Sequence, residues 1–230
     1  MEYQKLNSTH LKLIALITMT IDHIGAVIFT ETEIFRIIGR IAFPIFAFLL
    51  TEGIFYTKNK WKYLSRLLIF ALISEIPFNL ALKDHSIFYS DHQNVFFSLA
   101  IGLLMMIILE EIKKKELHYI LDYALSLLIL IIACIIAYML KTDYNVFAPM
   151  IIFSLYNFKD YPFLRFSITA AILICMGGTE PWAVLSIPMM LCYNGSTGAL
   201  KRKWMRMMVY WYYPSHLLIL VIIAKLTRLF

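Results

Sequence analysis

Long apolar runs follow one another along almost the whole chain, and the short segments between them hold most of the charged residues. The runs cover roughly residues 10–30, 34–56, 64–82, 94–112, 118–140, 145–158, 162–177, 181–194 and 205–228. A helix needs about 20 residues to cross a bilayer, and backbone amides in lipid must be hydrogen-bonded within the chain, so each run is predicted to be helical. The pattern predicts an all-α polytopic membrane protein with about nine transmembrane helices. The sixth and eighth runs are short for a full crossing, and broken or re-entrant helices are the alternative there.

Lysine and arginine are divided unevenly between alternate loops. One set of loops holds fifteen of them: Lys5, Lys12, Lys58, Lys60, Lys62, Arg66, Lys113, Lys114, Lys115, Lys159, Arg165, Lys201, Arg202, Lys203 and Arg206. The other set holds four: Lys83, Lys141, Lys225 and Arg228. Because loops rich in these residues stay in the cytoplasm, the amino terminus is predicted inside and the carboxyl terminus outside. The alternation also supports nine crossings, since one helix fewer would reverse every later loop.

The composition agrees with a membrane protein. Hydrophobic residues make up 61% of the chain and charged residues 16%, and the mean hydropathy is +0.74. Soluble domains have about 45–50% apolar residues and about 25% charged ones. Helices and short loops account for the full length, which predicts a single transmembrane domain over residues 1–230. The net charge of +6 is explained by the basic loops, so no nucleic-acid partner is predicted.

The cysteines and the one glycine-containing loop point to no cofactor chemistry. The three cysteines, Cys134, Cys175 and Cys192, lie in or at the ends of apolar runs and lack metal-site spacing, so no metal site is predicted. The basic loop at residues 193–203 lacks the spacing of a P-loop, which excludes a nucleoside triphosphatase of that class. As a site for a nucleotide's phosphates this loop is a weak candidate.

Seven ionisable residues lie inside the predicted crossings: Asp22, His23, Arg36, Arg40, Glu52, Glu75 and His216. Such a side chain at the centre of a span costs about 2.5–3.5 kcal/mol on insertion scales, so it marks a functional site by default. Seven exceed what a scaffold or anchor would carry. Because facing lipid would be costly, they are predicted to converge on an interior cavity.

Asp22 and His23 lie about two thirds of the way across the first predicted helix. Adjacent helical residues point about 100° apart, so these two side chains are not expected to pair closely with each other. One interpretation makes His23 a general base or acyl relay and Asp22 its orienting partner or a partner of the second helix. The other makes Asp22 half of a buried ion pair with Arg36 or Arg40, with His23 a neutral, hydrogen-bonded histidine.

Three basic residues surround this pair in the sequence. Arg36 and Arg40 lie one turn apart on one face of the second predicted helix. Together they could hold a carboxylate or stabilise an oxyanion, and equally they could only neutralise nearby acids. Lys12 precedes His23 by eleven residues, close to three turns, and shares its face about 16 Å away. A long anionic molecule could bind its charged end there, although a snorkelling interface lysine is the alternative.

Two further helices carry polar groups beside a proline. In the third predicted helix Glu75 precedes Pro77 and Asn79 follows it, and the proline frees a backbone carbonyl. In the last helix His216 follows Pro214, and the tyrosine pair 212–213 is interpreted as an interface anchor. Glu52, at the cytoplasmic end of the second helix, is predicted to pair with a loop lysine.

Four segments, in order along nearly the whole chain, resemble the TraX family of membrane proteins. They are Leu11-Lys12-Leu13-Ile14-Ala15 with Asp22-His23-Ile24-Gly25, Arg36-Ile37-Ile38-Gly39-Arg40-Ile41-Ala42-Phe43-Pro44-Ile45-Phe46-Ala47-Phe48, Ser74-Glu75-Ile76-Pro77-Phe78, and Tyr213-Pro214-Ser215-His216-Leu217. The family's named member acetylates the amino terminus of conjugative pilin. The family is similar to a wider superfamily of transmembrane acyltransferases, in which a membrane-embedded histidine helps to move an acetyl group from cytoplasmic acetyl-CoA to an acceptor across the membrane. The first helix of that superfamily often has a basic residue, ten intervening residues and the histidine, and Lys12 and His23 match this spacing.

The resemblance implies a multi-pass N-acetyltransferase of the bacterial inner (cytoplasmic) membrane. Its donor substrate would be acetyl-CoA, and its acceptor a protein or peptide amino terminus or a small amine. His23 would act as base or transient acyl acceptor, Arg40 or Arg36 would stabilise the oxyanion, and Glu75 would orient or deprotonate the amine. The implied site residues are catalytic His23, Asp22, Glu75 and Arg40, donor-binding Lys12 and Arg36, and substrate-binding Asn79 and His216.

Two other functions use the same residues. A proton-coupled transporter also carries intramembrane acids, bases and helix-breaking prolines, but the internal repeats that transporters often have are absent from this sequence. A non-catalytic assembly subunit predicts that replacing His23 or Arg40 changes stability or partner binding and no chemistry. The number of buried charges disfavours this second alternative.

Overall fold

The computed structural model describes residues 5–83, 87, 89, 91–199 and 203–227, and this part of the chain is helical without a β-strand. The first helices are α1 (Ser8–Val27), α2 (Glu33–Gly39), α3 (Ala42–Tyr56), α4 (Lys60–Leu82) and α5 (Val95–Lys113). They are followed by α6 (Tyr119–Met139), α7 (Phe147–Asn157), α8 (Pro162–Cys175), a 3₁₀ helix (Glu180–Leu185), α9 (Ser186–Leu191) and α10 (Lys203–Leu226). The all-α prediction is confirmed. Of the basic residues used for the orientation, Lys201, Arg202 and Arg228 lie outside the described residues.

Six helical segments among the described residues are long and apolar enough to cross a membrane. They are Ser8–Val27, Glu33–Tyr56, Lys60–Leu82, Val95–Lys113, Tyr119–Met139 and Met207–Leu226. The other three predicted crossings form shorter elements: α7 has 11 residues, α8 has 14, and the 3₁₀ helix and α9 have six each. At 1.5 Å per residue α7 is only about 16 Å long, against roughly 30 Å of hydrocarbon. The structure thus describes a polytopic membrane protein without confirming nine crossings or their orientation.

The second predicted crossing is broken between α2 and α3. Pro44 lacks the backbone N–H that would bond the carbonyl of Arg40, so one helical hydrogen bond is lost here and a break in the helix is favoured. The backbone instead turns at Arg40 and Ile41, and α3 begins at Ala42. Arg40 therefore lies at a helix break.

Two compact units can be distinguished within the chain. Unit 1 consists of Met1–Leu49, Leu72–Tyr89 and Leu173–Phe230, and unit 2 of Leu50–Ala71 and Ser90–Ile172. The single domain over residues 1–230 stays a prediction. All of the candidate site residues belong to unit 1.

Unit 1 is built around α1, which packs against α2 and α10. Gly25 allows a close approach to α2, because a Cβ there would lie 2.4 Å from Cβ of Phe35. The start of α1 is held by a distant segment: Leu6 N–H donates to the Cys192 carbonyl at 2.9 Å, and Asn194 N–H donates to the Leu6 carbonyl at 2.8 Å. These bonds fix the beginning of α1.

Unit 2 has a core formed by α5, α6 and α7. It also contains a buried ion pair, in which Arg165 Nη2 lies 2.9 Å from Glu52 Oε1 and 3.3 Å from Thr51 Oγ1. One sequence expectation is wrong here, because Glu52 pairs with this arginine instead of a loop lysine. Arg165, which was counted with the loops for the orientation, lies in α8 and is buried.

Candidate functional site

Asp22 forms an ion pair with each of the two arginines of the second predicted helix. Arg36 Nη1 lies 2.9 Å from Asp22 Oδ2, and Arg40 Nη2 lies 2.6 Å from Asp22 Oδ1. Each carboxylate oxygen therefore has its own guanidinium group. Asp22 and Arg40 are each only 8% exposed, so these charges are compensated in a buried position.

Glu180 adds a second acid to this group. Arg40 Nη1 forms an ion pair with Glu180 Oε1, and Arg40 Nε donates to the Arg36 carbonyl at 3.1 Å. We refer to Asp22, Arg36, Arg40 and Glu180 as the charged cluster. Its two formal positive and two formal negative charges cancel, which lowers the cost of burial.

Sequence reasoning did not predict Glu180. This residue lies between the pair Gly177-Gly178 and Pro181, in a segment assigned to an outer loop, and it begins the 3₁₀ helix. An acid between such turn-forming residues is an ordinary loop feature. Only the fold brings it to Arg40, which is 140 residues away in the sequence.

His23, which follows Asp22 in α1, forms a buried pair with His216 of α10. His23 Nδ1 lies 2.6 Å from His216 Nε2, and the two rings meet edge to edge in nearly one plane, with centroids 4.9 Å apart and an interplanar angle of 11°. His216 Nδ1 lies 2.8 Å from the carbonyl oxygen of Tyr212, one turn earlier on α10. The hydrogen bond between the two histidines thus joins α1 to α10.

Two tyrosines of α10 complete the surroundings of the histidine pair. The Tyr212 ring stacks on His216 at a centroid distance of 5.1 Å, and its hydroxyl lies 2.7 Å from Thr20 Oγ1. The Tyr213 ring meets His23 edge-on at 5.9 Å and His216 at 5.7 Å. The interpretation of these tyrosines as interface anchors is therefore wrong, since both rings pack against the histidines.

The geometry shows which partners Asp22 and His23 have. As predicted, the two side chains do not share a bond: Asp22 faces the arginines, and His23 faces His216. The ion pair and the hydrogen-bonded histidine of the structural alternative are both present. Arg36 and Arg40 already bind a carboxylate, so an added anion would have to compete with Asp22 or Glu180.

Five of the eight predicted site residues take part in these contacts, namely Asp22, His23, Arg36, Arg40 and His216.

The other three predicted site residues lie outside these contacts. Lys12 is partly buried near the start of α1. Glu75 and Asn79 lie four residues apart on one face of α4, and Asn79 Nδ2 donates to the Ile87 carbonyl at 3.3 Å. Among the described residues, none hydrogen-bonds Asn79 Oδ1 or the buried hydroxyl of Ser74. The roles of Lys12, Glu75 and Asn79 stay predictions.

The histidine pair is not arranged as a metal site. Two nitrogens bound to one zinc ion at about 2.0–2.1 Å each would stand well over 2.6 Å apart, so their direct contact leaves no place for a metal between them. In the described ranges no group of three or more histidine, cysteine, aspartate and glutamate residues is placed to hold a metal ion.

Comparison with known proteins shows what the chain is similar to. A family model described as TraX protein matches residues 7–224. The chain is 33% identical over 126 residues to a probable fimbrial assembly protein, FimC of serogroup H1, from Dichelobacter nodosus, covering 50% of this chain and 52% of the relative. It is 43% identical over 74 residues to an uncharacterized protein of Rickettsia prowazekii (strain Madrid E), covering 32% of this chain and 28% of that protein. The chain thus spans about half of the first relative's length and less of the second's, and no solved structure matches it.

Proposed function

The chain belongs to the TraX family, and from this membership we propose that it is an acetyltransferase of the bacterial inner (cytoplasmic) membrane. It transfers the acetyl group of cytoplasmic acetyl-CoA to an amine. The single observation that carries the proposal is the buried, hydrogen-bonded histidine pair, His23 and His216, on two helices long enough to cross a membrane. The printed name of the Dichelobacter nodosus relative, a fimbrial assembly protein, favours the amino terminus of a pilin-like subunit as acceptor.

His23 is the residue that reacts in this proposal. Its Nδ1 faces His216, so Nε2 is the ring nitrogen left for chemistry. As general base, Nε2 takes the proton of the acceptor amine while the amine nitrogen bonds the acetyl carbon and the carbon–sulfur bond breaks. As transient acceptor, Nε2 bonds the acetyl carbon while the carbon–sulfur bond breaks and coenzyme A leaves as its thiolate. The acceptor amine then bonds the acetyl carbon, the Nε2–carbon bond breaks, and the proton of the amine passes to the freed Nε2.

The charged cluster supplies the positive charge that the transition state needs. The thioester oxygen becomes negative as the tetrahedral intermediate forms, and a guanidinium donor stabilises such an oxyanion. Arg40, at the break between α2 and α3, fulfils this role by exchanging one of its two carboxylate partners for the oxyanion. Asp22 holds Arg40 and Arg36 in place from the position next to His23.

The two substrates are assigned to different residues of unit 1, and the donor site includes Arg36 of the charged cluster. Lys12 and Arg36 bind the anionic donor; Arg36 is accessible to it because its side chain is 36% exposed. Glu75 and Asn79 bind the acceptor amine on α4. With nine crossings and a cytoplasmic amino terminus, which are part of the proposal, Lys12 stands at the cytoplasmic mouth where coenzyme A arrives.

Turnover of acetyl-CoA by the purified protein in detergent tests the proposal. We expect wild type to release free coenzyme A, faster with an amine present, and His23→Ala to lose a factor on the order of 10²–10⁴. His10→Ala is the matched control, because His10 is an exposed histidine on the same helix. Equal rates for wild type and a folded His23→Ala variant would refute the assignment of the base.

One observation keeps a transporter as second candidate. Helices α4 and α10 both contain an internal proline, Pro77 and Pro214, and α10 also carries His216 of the histidine pair. Discontinuous helices near intramembrane titratable residues are a feature of proton-coupled transporters. Proton-driven substrate flux in sealed vesicles without acetyl-CoA, together with no acetyl-CoA turnover in detergent, would favour this function.

A further inference from the structure

His216 has one hydrogen-bond partner whose role is fixed by its chemistry. The carbonyl oxygen of Tyr212 can only accept, so the contact of 2.8 Å requires a hydrogen on His216 Nδ1. A neutral imidazole carries a single ring hydrogen. His216 Nε2 in the neutral ring is therefore an acceptor.

The direction of the second bond follows from the first. The distance of 2.6 Å between His216 Nε2 and His23 Nδ1 leaves room for one hydrogen, and in the neutral pair that hydrogen must belong to His23. A neutral His23 with its hydrogen on Nδ1 carries its lone pair on Nε2. The second histidine thus selects the tautomer in which Nε2 is a base.

The surroundings favour this neutral arrangement over a charged one. Both rings are buried, with His23 7% and His216 6% exposed, and they meet edge to edge with their planes 11° apart. Two imidazolium rings would place hydrogen against hydrogen across 2.6 Å, and a single buried cation would lose its hydration. The two acids of the charged cluster are occupied by Arg36 and Arg40.

The position of His216 is itself secured by a second link between the same helices. Tyr212 stacks on His216 and its hydroxyl lies 2.7 Å from Thr20 Oγ1, three residues before His23 on α1. Thr20 with Tyr212 and His23 with His216 therefore form two cross-links separated by about one turn on each helix. This register holds the two rings within hydrogen-bond distance.

We propose that His216 is a positioning residue, which holds His23 in the tautomer with a basic Nε2, and not a residue that binds substrate. The proposal rests on the proposed function for its catalytic meaning. When Nε2 of His23 takes the proton of the acceptor amine, the Nδ1 hydrogen stays in its bond to His216 Nε2. His216 then orients the resulting imidazolium without becoming charged, which is the function of the third group in a nucleophile–base–orienter arrangement.

Two substitutions at one position separate this role from others. In His216→Gln the side-chain carbonyl can accept the hydrogen bond from His23 Nδ1 but cannot take up a proton at neutral pH. His216→Leu removes the acceptor. We expect the glutamine variant to keep activity within about tenfold of wild type and the leucine variant to lose a factor on the order of 10²–10⁴.

A direct reading of the tautomer distinguishes positioning from a structural role. Long-range nitrogen–proton correlation spectra of ¹⁵N-histidine-labelled protein in detergent show which ring nitrogen carries the hydrogen. We expect a hydrogen on Nδ1 of His23 in wild type and in His216→Gln, and a shift toward the Nε2 tautomer in His216→Leu. His23→Ala identifies the signal, and His10→Ala, at an exposed histidine of the same helix, should leave it unchanged.

The outcomes that overturn the proposal are separate from those that overturn the acetyltransferase. A hydrogen on Nε2 of His23 in wild type would overturn it, whether or not the protein transfers acetyl groups. So would an inactive His216→Gln variant that keeps the Nδ1 hydrogen, because accepting a hydrogen bond would then not suffice. Absence of acetyl transfer by wild type with the expected tautomer would overturn the reaction and leave the positioning intact.

Discussion

Gly39 of α2 lies directly against Asp22 of α1. A Cβ at position 39 would stand 2.1 Å from Asp22 Cβ and 2.2 Å from Asp22 Oδ1, which is closer than atoms can approach. Because Gly39 lies between Arg36 and Arg40, the space left by its missing side chain is the space that Asp22 needs in order to reach both guanidinium groups.

Gly39→Ala is expected to destabilise the protein. The added methyl group must push Asp22 away from its partners, and such overpacking costs about 1–3 kcal/mol. Thermal unfolding in detergent measures the loss. Gly53→Ala is the matched control, because its Cβ would meet the nearest atom, the Tyr63 hydroxyl oxygen, at an ordinary 3.7 Å. An unchanged unfolding midpoint for Gly39→Ala would show that α1 and α2 are not packed this closely.

The pair between Arg40 and Glu180 is expected to show energetic coupling. Their side chains are 10% and 19% exposed, so removing one charge leaves the other poorly solvated. Glu180→Gln, Arg40→Gln and the double variant form a double-mutant cycle, for which we expect a coupling of about 1–3 kcal/mol in thermal or denaturant unfolding. Additive effects would mean that the two residues do not interact.

The buried ion pair of unit 2 is expected to affect stability without affecting chemistry. Glu52→Gln weakens the partner of Arg165 and should lower the unfolding midpoint, whereas kcat per folded molecule should not change. Arg165→Lys should also be less stable than wild type, because an ammonium is more strongly hydrated than a guanidinium and costs more to bury beside Glu52 and Thr51. A loss of kcat in folded Glu52→Gln would place unit 2 in the reaction.

Lys12→Gln is expected to weaken donor binding. If Lys12 contacts a phosphate of acetyl-CoA, its loss should raise the KM for acetyl-CoA roughly fivefold, equivalent to about 1 kcal/mol, and leave kcat nearly constant. The effect should shrink as the salt concentration rises, since ions screen exposed charges. Lys58→Gln, at an exposed lysine after α3, serves as control, and an equal increase in KM for both variants would point to general surface charge.

Hydropathy and membrane physics were sufficient to predict the helical class and most of the long helices, because both depend on local composition. The break at Arg40 was within reach of the sequence, since Pro44 removes the hydrogen bond that would continue the helix. The sequence indicated that the sixth and eighth runs are short, but the bounds of the elements between residues 147 and 191 were not predictable, because an apolar run indicates burial as readily as a crossing.

The contacts of the candidate site, like the helices, could be predicted only in part from the sequence. Asp22, Arg36 and Arg40 are close in sequence, and their pairing could be foreseen from helix geometry. Glu180 and Tyr212 could not, because an acid in a glycine-rich turn and a tyrosine near a helix end have common structural explanations. Their contacts with Arg40 and with Thr20 depend on tertiary packing over 140 and 192 residues.

The spacing of the partners along the chain sets the order in which the site is completed during biosynthesis. Asp22 meets Arg36 and Arg40 only 14 and 18 residues later, so its charge is neutralised almost as soon as the first hairpin leaves the ribosome. His23 must wait for His216, 193 residues away, which at 5–20 residues per second is roughly 10–40 s. The nascent chain thus acquires its ion pair before its histidine pair, which forms only after α10 has been synthesised.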